Sequence, residues 1–214
     1  MTLYMDQTIK LYLDDLAARL PAPGGGSAAA LAGAMATALT SMVLNFTVGN
    51  EKFKDFEEAA KRMLVKSEGL RENFTRLFTE DIKGYEAVAS AYSLPKDTEA
   101  NKTKRKRAVK DAMRQASLVP LHVCEYSVEA MKLCPDLAKR ANPNLICDVE
   151  VPVRLLEAAF YGGKVNVIMN LKSIEDDEFN KDVSRKMAFL EKELFQYKDQ
   201  SEKEIVKIVT HRKG

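Results

Sequence analysis

The residue whose type and position best suit acid–base chemistry is Asp81. It lies within a stripe of apolar and small residues that runs from Phe53 to Val88 in alternating steps of three and four, the spacing of one helix face. A carboxylate in such a stripe is expected to be paired, protonated or catalytic, because burying an isolated charge is costly. Tyr85 follows one turn later on the same face, and Gly84 leaves space beside both side chains. A catalytic carboxyl and a structural ion pair with an arginine from another helix are both compatible with this pattern.

A second candidate is the glycine loop, which consists of Gly24, Gly25, Gly26 and Ser27 and follows the Pro-Ala-Pro segment 21–23. Consecutive glycines allow backbone conformations that other residues avoid, and Ser27 is predicted to be the N-cap of the alanine-rich helix that follows. The free N–H groups of a helix N-terminus can bind an anion or a polar heterocycle. The loop lacks the lysine of a Walker loop and no strand precedes it, so a nucleotide site is not predicted. A tight turn between two helices is the alternative interpretation.

The third group of polar residues lies in the segment 144–170. Asn166 and Asn170 are four residues apart, so on a helix their amides face the same way among apolar neighbours. Paired amides could recognise the donor and acceptor groups of a flat heterocycle, or they could bridge two helices. Asp148 is a second candidate carboxylate, for which capping a helix is the alternative role.

Composition excludes several classes of function. The 33 basic and 31 acidic residues give a net charge of +2, which predicts no nucleic-acid partner. Only two histidines are present, so no histidine-based zinc site is expected. The three cysteines form no CxxC pair, and the N-terminus shows no secretory signal, which together predict reduced thiols and a cytoplasmic location. The basic run 102–110 is interpreted as a solvated helix start that could also attract a polyanionic ligand tail.

One uncharged segment, residues 20–50, is long enough to span a bilayer. Between Ala28 and Val48, however, it contains seven alanines and only six residues of the Leu, Val, Ile and Phe types. Polar residues dilute it further, and no aromatic belt or basic flank frames it. We therefore interpret it as the buried central helix of a bundle, with no membrane as a partner.

The elements that must position these residues are all helical. Periodic apolar residues predict a single domain over residues 1–214, folded as an all-α, up-and-down bundle with long helices. Gly162 and Gly163 are expected to interrupt the helical structure between two predicted helices. Pro120 is expected to kink its helix, and Pro152 is expected to lie in a first helical turn. The predicted helices are residues 6–20, 28–48, 51–92, 148–161, 165–171 and 175–212, with one more that is capped by Asp97 or Thr98, begins with the basic run 102–110 and becomes apolar around 119–131.

The glycine loop and the residues after it resemble the formiminotetrahydrofolate cyclodeaminase / methenyltetrahydrofolate cyclohydrolase family. The resemblance covers roughly residues 8–171. Four stretches carry it in order: 21–34, 81–95, the Val-Pro-Leu at 119–121, and Asp148-Val149 leading to Gly162-Gly163 and on to Asn166 and Asn170. The sequence departs from the family at Cys147 and Glu150, where Ser and Gly are usual, and at Pro152 and Arg154, where small residues are common. These departures concern substrate choice more than fold.

The resemblance implies an all-helical enzyme, commonly a homodimer, that binds a tetrahydrofolate derivative in a cleft with no metal and no further cofactor. Such enzymes open or close the one-carbon bridge between N5 and N10, which requires a proton carrier and a negative charge beside the amidinium. Asp81 is our first candidate for that role and Asp148 the second. The residues predicted to bind the substrate are Gly24, Gly25, Gly26, Ser27, Tyr85, Asn166 and Asn170.

The chain carries no formiminotransferase domain, which favours the cyclohydrolase over the cyclodeaminase. A non-catalytic helical folate-binding or adaptor protein is the alternative.

Overall fold

The computed structural model describes residues 4–211, and all regular secondary structure in that range is helical. The prediction of an all-α bundle with long helices is therefore confirmed. Residues 4–211 form seven α-helices: α1 (Ile9–Ala17), α2 (Gly25–Asn45), α3 (Glu57–Tyr92), α4 (Glu99–Met131), α5 (Cys134–Arg140), α6 (Ile146–Leu171) and α7 (Asp177–His211). Short 3-10 helices cover Tyr4–Asp6, Glu51–Phe56 and Pro143–Leu145.

Helix α2 is the central element and packs between α3 and α6. Its small residues allow neighbouring helices to approach closely. A β-carbon on Gly33 would lie within 2.6 Å of three ring atoms of Phe74, so the aromatic ring of α3 occupies the space that any side chain at position 33 would need. Val43 and Leu44, near the other end of α2, are fully buried.

By length and composition alone, α2 could cross a membrane. Within the fold, however, 56% of its most apolar window is buried. Its contacts with α3 and α6 are those of the core helix of a bundle, as the sequence predicts.

Helices α4 and α6 also pack closely, and glycine makes this contact possible. A β-carbon on Gly163 would lie 2.8 Å from Cys124 Sγ and 2.9 Å from the carbonyl oxygen of Pro120. One on Gly162 would lie 3.0 Å from the β-carbon of Ala29 in α2. The prediction that Gly162 and Gly163 interrupt the chain is wrong: α6 continues through both, because they serve as contact points with other helices rather than as breaks.

Several helix boundaries differ from the prediction. α1 is shorter than residues 6–20, and α3 begins only at Glu57 because Phe53 has non-helical backbone angles. The short helix α5 was not predicted. Pro152 lies in the second turn of α6, not the first, because that helix begins at Ile146. The predicted cap of α4 is confirmed at Thr98, whose hydroxyl accepts a hydrogen bond from the N–H of Asn101.

Helix α7 lies along α4, α5 and α6. Four of its apolar residues are buried in the core: Val183, Leu190, Leu194 and Ile205. Residue 212, the last of the predicted helix, lies outside the described residues.

Candidate functional site

A cleft of about 410 Å³ lies where α2 begins, with walls from α3, α4 and α6. Its polar residues come from three separate parts of the chain, the glycine loop, α3 and α6. Apolar side chains of α3 and α4 complete the walls. The residues that line the cleft include Gly24, Gly25, Gly26, Asp81, Tyr85, Tyr92, Ala116, Asn166 and Asn170.

The glycine loop and Asp81 are in direct contact. A β-carbon on Gly26 would lie within 2.7 Å of all three carboxyl atoms of Asp81, so the carboxylate rests where a side chain at position 26 would stand. No residue other than glycine fits there without moving the carboxylate. Gly25 lies near Asn166, but a β-carbon there would be 3.8 Å from Asn166 Nδ2, an ordinary van der Waals distance.

The Asp81 carboxyl is half-buried, and burial raises its pKa above the usual value near 3.8 because the charged form loses hydration. The backbone N–H of Ser27 donates to the carboxylate and opposes this rise. Within residues 4–211, Asp81 forms no salt bridge with any lysine, arginine or histidine. The alternative of a structural ion pair with an arginine therefore finds no support in that range.

Ser27 is not the helix N-cap that the sequence predicts. α2 begins three residues earlier than predicted, with Gly24 as its cap, because the serine hydroxyl reaches back to Gly24. Ser27 Oγ donates to the carbonyl of Gly24 (2.8 Å) and lies 3.3 Å from the Gly24 nitrogen, whose hydrogen it accepts. The loop is thus closed by its own serine, which sits behind the cleft rather than in its wall.

A buried tyrosine supports this loop from α1. The hydroxyl of Tyr12 lies 3.2 Å from Ser27 Oγ, and its ring packs against Phe78 of α3. Burial raises the pKa of Tyr12, and the nearby charge of Asp81 raises it further. Sequence reasoning missed Tyr12, because no local pattern shows that α1 folds back behind the glycine loop.

Asn166 and Asn170 both line the cleft, on one face of α6 as their spacing predicts. Each amide also binds a backbone carbonyl. Asn166 Nδ2 donates to the carbonyl of Gly162 at 2.8 Å, and Asn170 Nδ2 donates to the carbonyl of Ala116 in α4 at 3.4 Å. Tyr85 stands at the rim with about half of its side chain exposed.

Asp148 lies elsewhere. It is in the first turn of α6, 18 residues before Asn166, which is about 27 Å along the helix axis. The structure therefore does not bring Asp148 together with Asp81 in the described chain, and Asp148 is absent from the walls of the cleft. A carboxylate in a first turn interacts favourably with the helix dipole.

A second cavity, of about 470 Å³, adjoins the first and shares Tyr92 with it. Its walls carry five basic residues, namely Lys96, Lys102, Arg105, Lys106 and Lys110. Several of these already have carboxylate partners, such as Glu99 for Lys102 and Glu175 for Lys106. Arg105 instead donates to the carbonyl of Tyr92 and stacks on its ring, between the two cavities.

The described part of the chain holds no cluster of three or more His, Cys, Asp or Glu residues arranged to bind a metal ion.

Fold and cleft together define an all-helical protein with a half-buried carboxyl beside a glycine-lined helix N-terminus. Comparison with known proteins identifies the family. The formiminotransferase-cyclodeaminase family profile matches residues 8–189. The chain belongs to this family.

Individual relatives agree with this assignment. The chain is 40% identical over 174 residues to a methenyltetrahydrofolate cyclohydrolase of Methylorubrum extorquens, which covers 81% of this chain and 84% of that protein. It is 30% identical to the rat formimidoyltransferase-cyclodeaminase over 87% of this chain, and spans about a third of the rat protein's length (34%). The crystal structure of formiminotetrahydrofolate cyclodeaminase from Thermotoga maritima superposes with a TM-score of 0.86 at 30% identity, covering 96% of this chain and 98% of that one.

Proposed function

We propose that this protein is a methenyltetrahydrofolate cyclohydrolase, which opens the one-carbon bridge between N5 and N10 of its folate substrate. The observation that carries the proposal is the Asp81 carboxyl, held against Gly26 in the wall of the cleft. The 40% identity to the Methylorubrum cyclohydrolase, over most of both chains, supports this choice of reaction.

In this reaction, water attacks the methenyl carbon and a C–O bond forms. Asp81 accepts the proton that the water loses, and a neutral tetrahedral adduct results. The bond between that carbon and N5 then breaks, and N5 takes the proton back from the carboxyl. Loss of the remaining hydroxyl proton to solvent leaves the 10-formyl product, so the overall reaction releases one proton.

The surroundings of Asp81 suit both halves of this cycle. Burial makes the carboxyl hold a proton more readily than an exposed aspartate does, as proton return to N5 requires. In its ionised form the carboxylate offsets the positive charge of the amidinium in the bound substrate. The N–H of Ser27 fixes the carboxylate in place.

Cyclodeamination of formiminotetrahydrofolate is the second candidate, favoured by the similarity to the Thermotoga cyclodeaminase structure. In that reaction N10 attacks the carbon of the protonated formimino group, the new C–N10 bond closes the ring, and Asp81 accepts the proton that N10 loses. The carboxyl then donates this proton to the departing nitrogen, whose bond to the carbon breaks as ammonia leaves.

The experiment uses the purified full chain with each substrate. Loss of methenyl absorbance faster than the uncatalysed rate supports the cyclohydrolase, and ammonia release from formiminotetrahydrofolate supports the cyclodeaminase. Binding of a reduced folate with neither reaction would support the non-catalytic carrier and overturn our proposal.

In this proposal the pterin lies beside Asp81, with Gly24, Gly25 and Gly26 giving close backbone approach and Tyr85 at the rim. Asn166 and Asn170 supply polar contacts, while Ser27 shapes the loop with its hydroxyl and holds the Asp81 carboxylate with its backbone N–H. The anionic glutamate of the folate then extends past Tyr92 into the basic cavity. Asp148, the second predicted catalytic residue, is not part of this proposed site.

We also propose that the protein is a homodimer, joined through an apolar face of α2 and α6. Met35 of α2 is about half exposed, as are Val165, Ile168 and Met169 of α6, and α2 carries no charged residue. Exposed apolar patches rarely remain uncovered in soluble proteins. We propose that a second copy of the chain covers this face, because most oligomers are homo-oligomers and twofold dimers are the commonest form.

The remaining proposals are a cytoplasmic location, one domain over residues 1–214, and no metal or cofactor besides the folate. The three cysteines are free, and two of them are buried, as in a protein that keeps reduced thiols. Activity that survives extensive treatment with a chelator would support the absence of a metal, and activity restored only by added metal would overturn it.

A further inference from the structure

Pro120 lies inside α4, where its ring nitrogen carries no hydrogen. In an uninterrupted helix the N–H of residue 120 would bond to the carbonyl of Ala116, four residues earlier. That carbonyl is therefore left without its helical donor. The side chain of Asn170 supplies the missing hydrogen bond from α6, with 3.4 Å between its Nδ2 and the oxygen of Ala116.

The packing of α4 against α6 makes this contact possible. Gly163 lies against the carbonyl of Pro120 and the thiol of Cys124, so the two helix backbones approach closely. Asn170 is seven residues, or two turns, beyond Gly163 on the same face of α6. Its side chain therefore reaches the carbonyl of Ala116, about one helical turn from Pro120 in α4.

This bond fixes what the two asparagines offer to a ligand. A backbone carbonyl only accepts, so the nitrogen of each amide, not the oxygen, must face it. Nδ2 of Asn166 faces Gly162 and Nδ2 of Asn170 faces Ala116, while neither Oδ1 has a hydrogen-bond partner within residues 4–211. Both side chains line the cleft, so the pair offers a ligand two acceptor oxygens, each beside the second N–H of its own amide.

We infer that Pro120 is a positioning residue, which acts through the freed carbonyl of Ala116 to hold Asn170, and that the two asparagine oxygens bind N–H donors on the edge of the substrate ring. This inference rests on the proposed function, since it takes the ring to be that of a reduced folate. The edge of a pterin that carries an amino group and a ring N–H provides such donors.

The test is a double-mutant cycle with Pro120→Ala and Asn170→Ala. Pro120→Ala restores the backbone donor to Ala116 and should leave the helix intact or more stable. Because Asn170 then loses its anchor, we expect KM for methenyltetrahydrofolate to rise about tenfold while kcat changes less than twofold, the loss of about one hydrogen bond. Asn170→Ala should raise KM similarly, and adding Pro120→Ala to it should have no further effect.

Pro152→Ala is the matched control: Pro152 is also inside a helix, and although its departure from the family pattern pointed to substrate choice, the structure places it outside the cleft. It should leave KM unchanged. Calorimetric binding of 5-formyltetrahydrofolate, and of its analogue with methyl in place of the 2-amino group, gives a readout independent of turnover. Wild type should bind the amino compound about tenfold more tightly, and both single variants should lose much of that preference.

Suppose that the wild type turns over the substrate. An unchanged KM in the Pro120→Ala variant, or fully additive effects in the double variant, would then overturn the inference and leave the proposed function standing. A wild type that neither turns over nor binds the folate would overturn both. Binding without turnover, with the same coupling in the dissociation constants, would support the inference and overturn only the proposed reaction.

Discussion

The carboxylate of Asp81 rests against the α-carbon of Gly26, where the glycine loop becomes helix α2. Two segments 55 residues apart in the chain thereby form one wall of the cleft. The contact explains why the loop needs glycine at this position, independently of any unusual backbone angle.

Gly26→Ala should displace the carboxylate, because the added methyl group would occupy its position. We expect kcat to fall by about 10²-fold, since a displacement of about 1 Å is enough for such a loss. Gly69→Ala on α3 is the control, because nothing lies within 4 Å of the added methyl there. Equal activity of the Gly26→Ala variant and the control would contradict the assigned geometry.

Replacing Asp81 by asparagine should stabilise the fold at neutral pH. Since the pKa of Asp81 is raised in the folded state, its contribution to stability is full below about pH 3.8 and is lost as the pH rises through the folded pKa. The melting temperature of Asp81→Asn should therefore exceed that of the wild type at pH 8, by on the order of 2–4 °C for each kcal/mol gained in the free energy of unfolding. The difference should shrink on acidification.

Melting curves at several pH values measure this difference. Asp111→Asn, at an exposed position on α4, should change the melting temperature little at any pH. A destabilised Asp81→Asn variant at pH 8 would show that Asp81 is a structural residue.

The sequence predicts the helical architecture well because apolar periodicity is local. The stripe around Asp81 and the paired spacing of Asn166 and Asn170 could both be read from residue types and distances along the chain. These patterns also indicate which residues share a helix face, which is why most of the predicted site residues lie in one cleft.

What the sequence could not supply depends on contacts between distant segments. Gly163 looks like a helix break until α4 is seen to fill the space beside it. The role of Pro120 is visible only when Asn170 reaches the carbonyl of Ala116. The distance of Asp148 from the cleft follows from the length of α6. The sequence did not predict this length, because Gly162 and Gly163 were expected to end the helix.

The basic cavity should matter for substrate binding but not for chemistry. We expect Lys102→Gln combined with Arg105→Gln to raise KM several-fold with kcat unchanged, because an attraction between the ligand tail and the cavity is lost. The effect should diminish as salt rises from 0.05 to about 0.5 M, since exposed charges are screened. Lys192→Gln, on the exposed side of α7, is the control. A fall in kcat with unchanged KM would argue against a tail site.

The apolar face of α2 and α6 should hold the dimer together. Sedimentation equilibrium of the wild type should give twice the chain mass of 23.9 kDa, and Met35→Glu with Val165→Glu should give the single chain. Buried glutamates without partners would oppose association. Val206→Glu, at an exposed position on α7, should remain dimeric. A wild type that sediments as one chain at micromolar concentration would rule out the dimer.

The role of Asp81 is tested most directly by the turnover of Asp81→Asn, measured with its folate affinity in the same preparation. The substitution preserves shape and removes the proton carrier, so we expect kcat for methenyltetrahydrofolate to fall by about 10²–10⁴-fold. The dissociation constant for 5-formyltetrahydrofolate should change by less than about threefold. Glu72→Gln, an exposed carboxylate on the same helix, should leave both values unchanged. An Asp81→Asn enzyme that binds the folate and retains wild-type kcat would contradict the account.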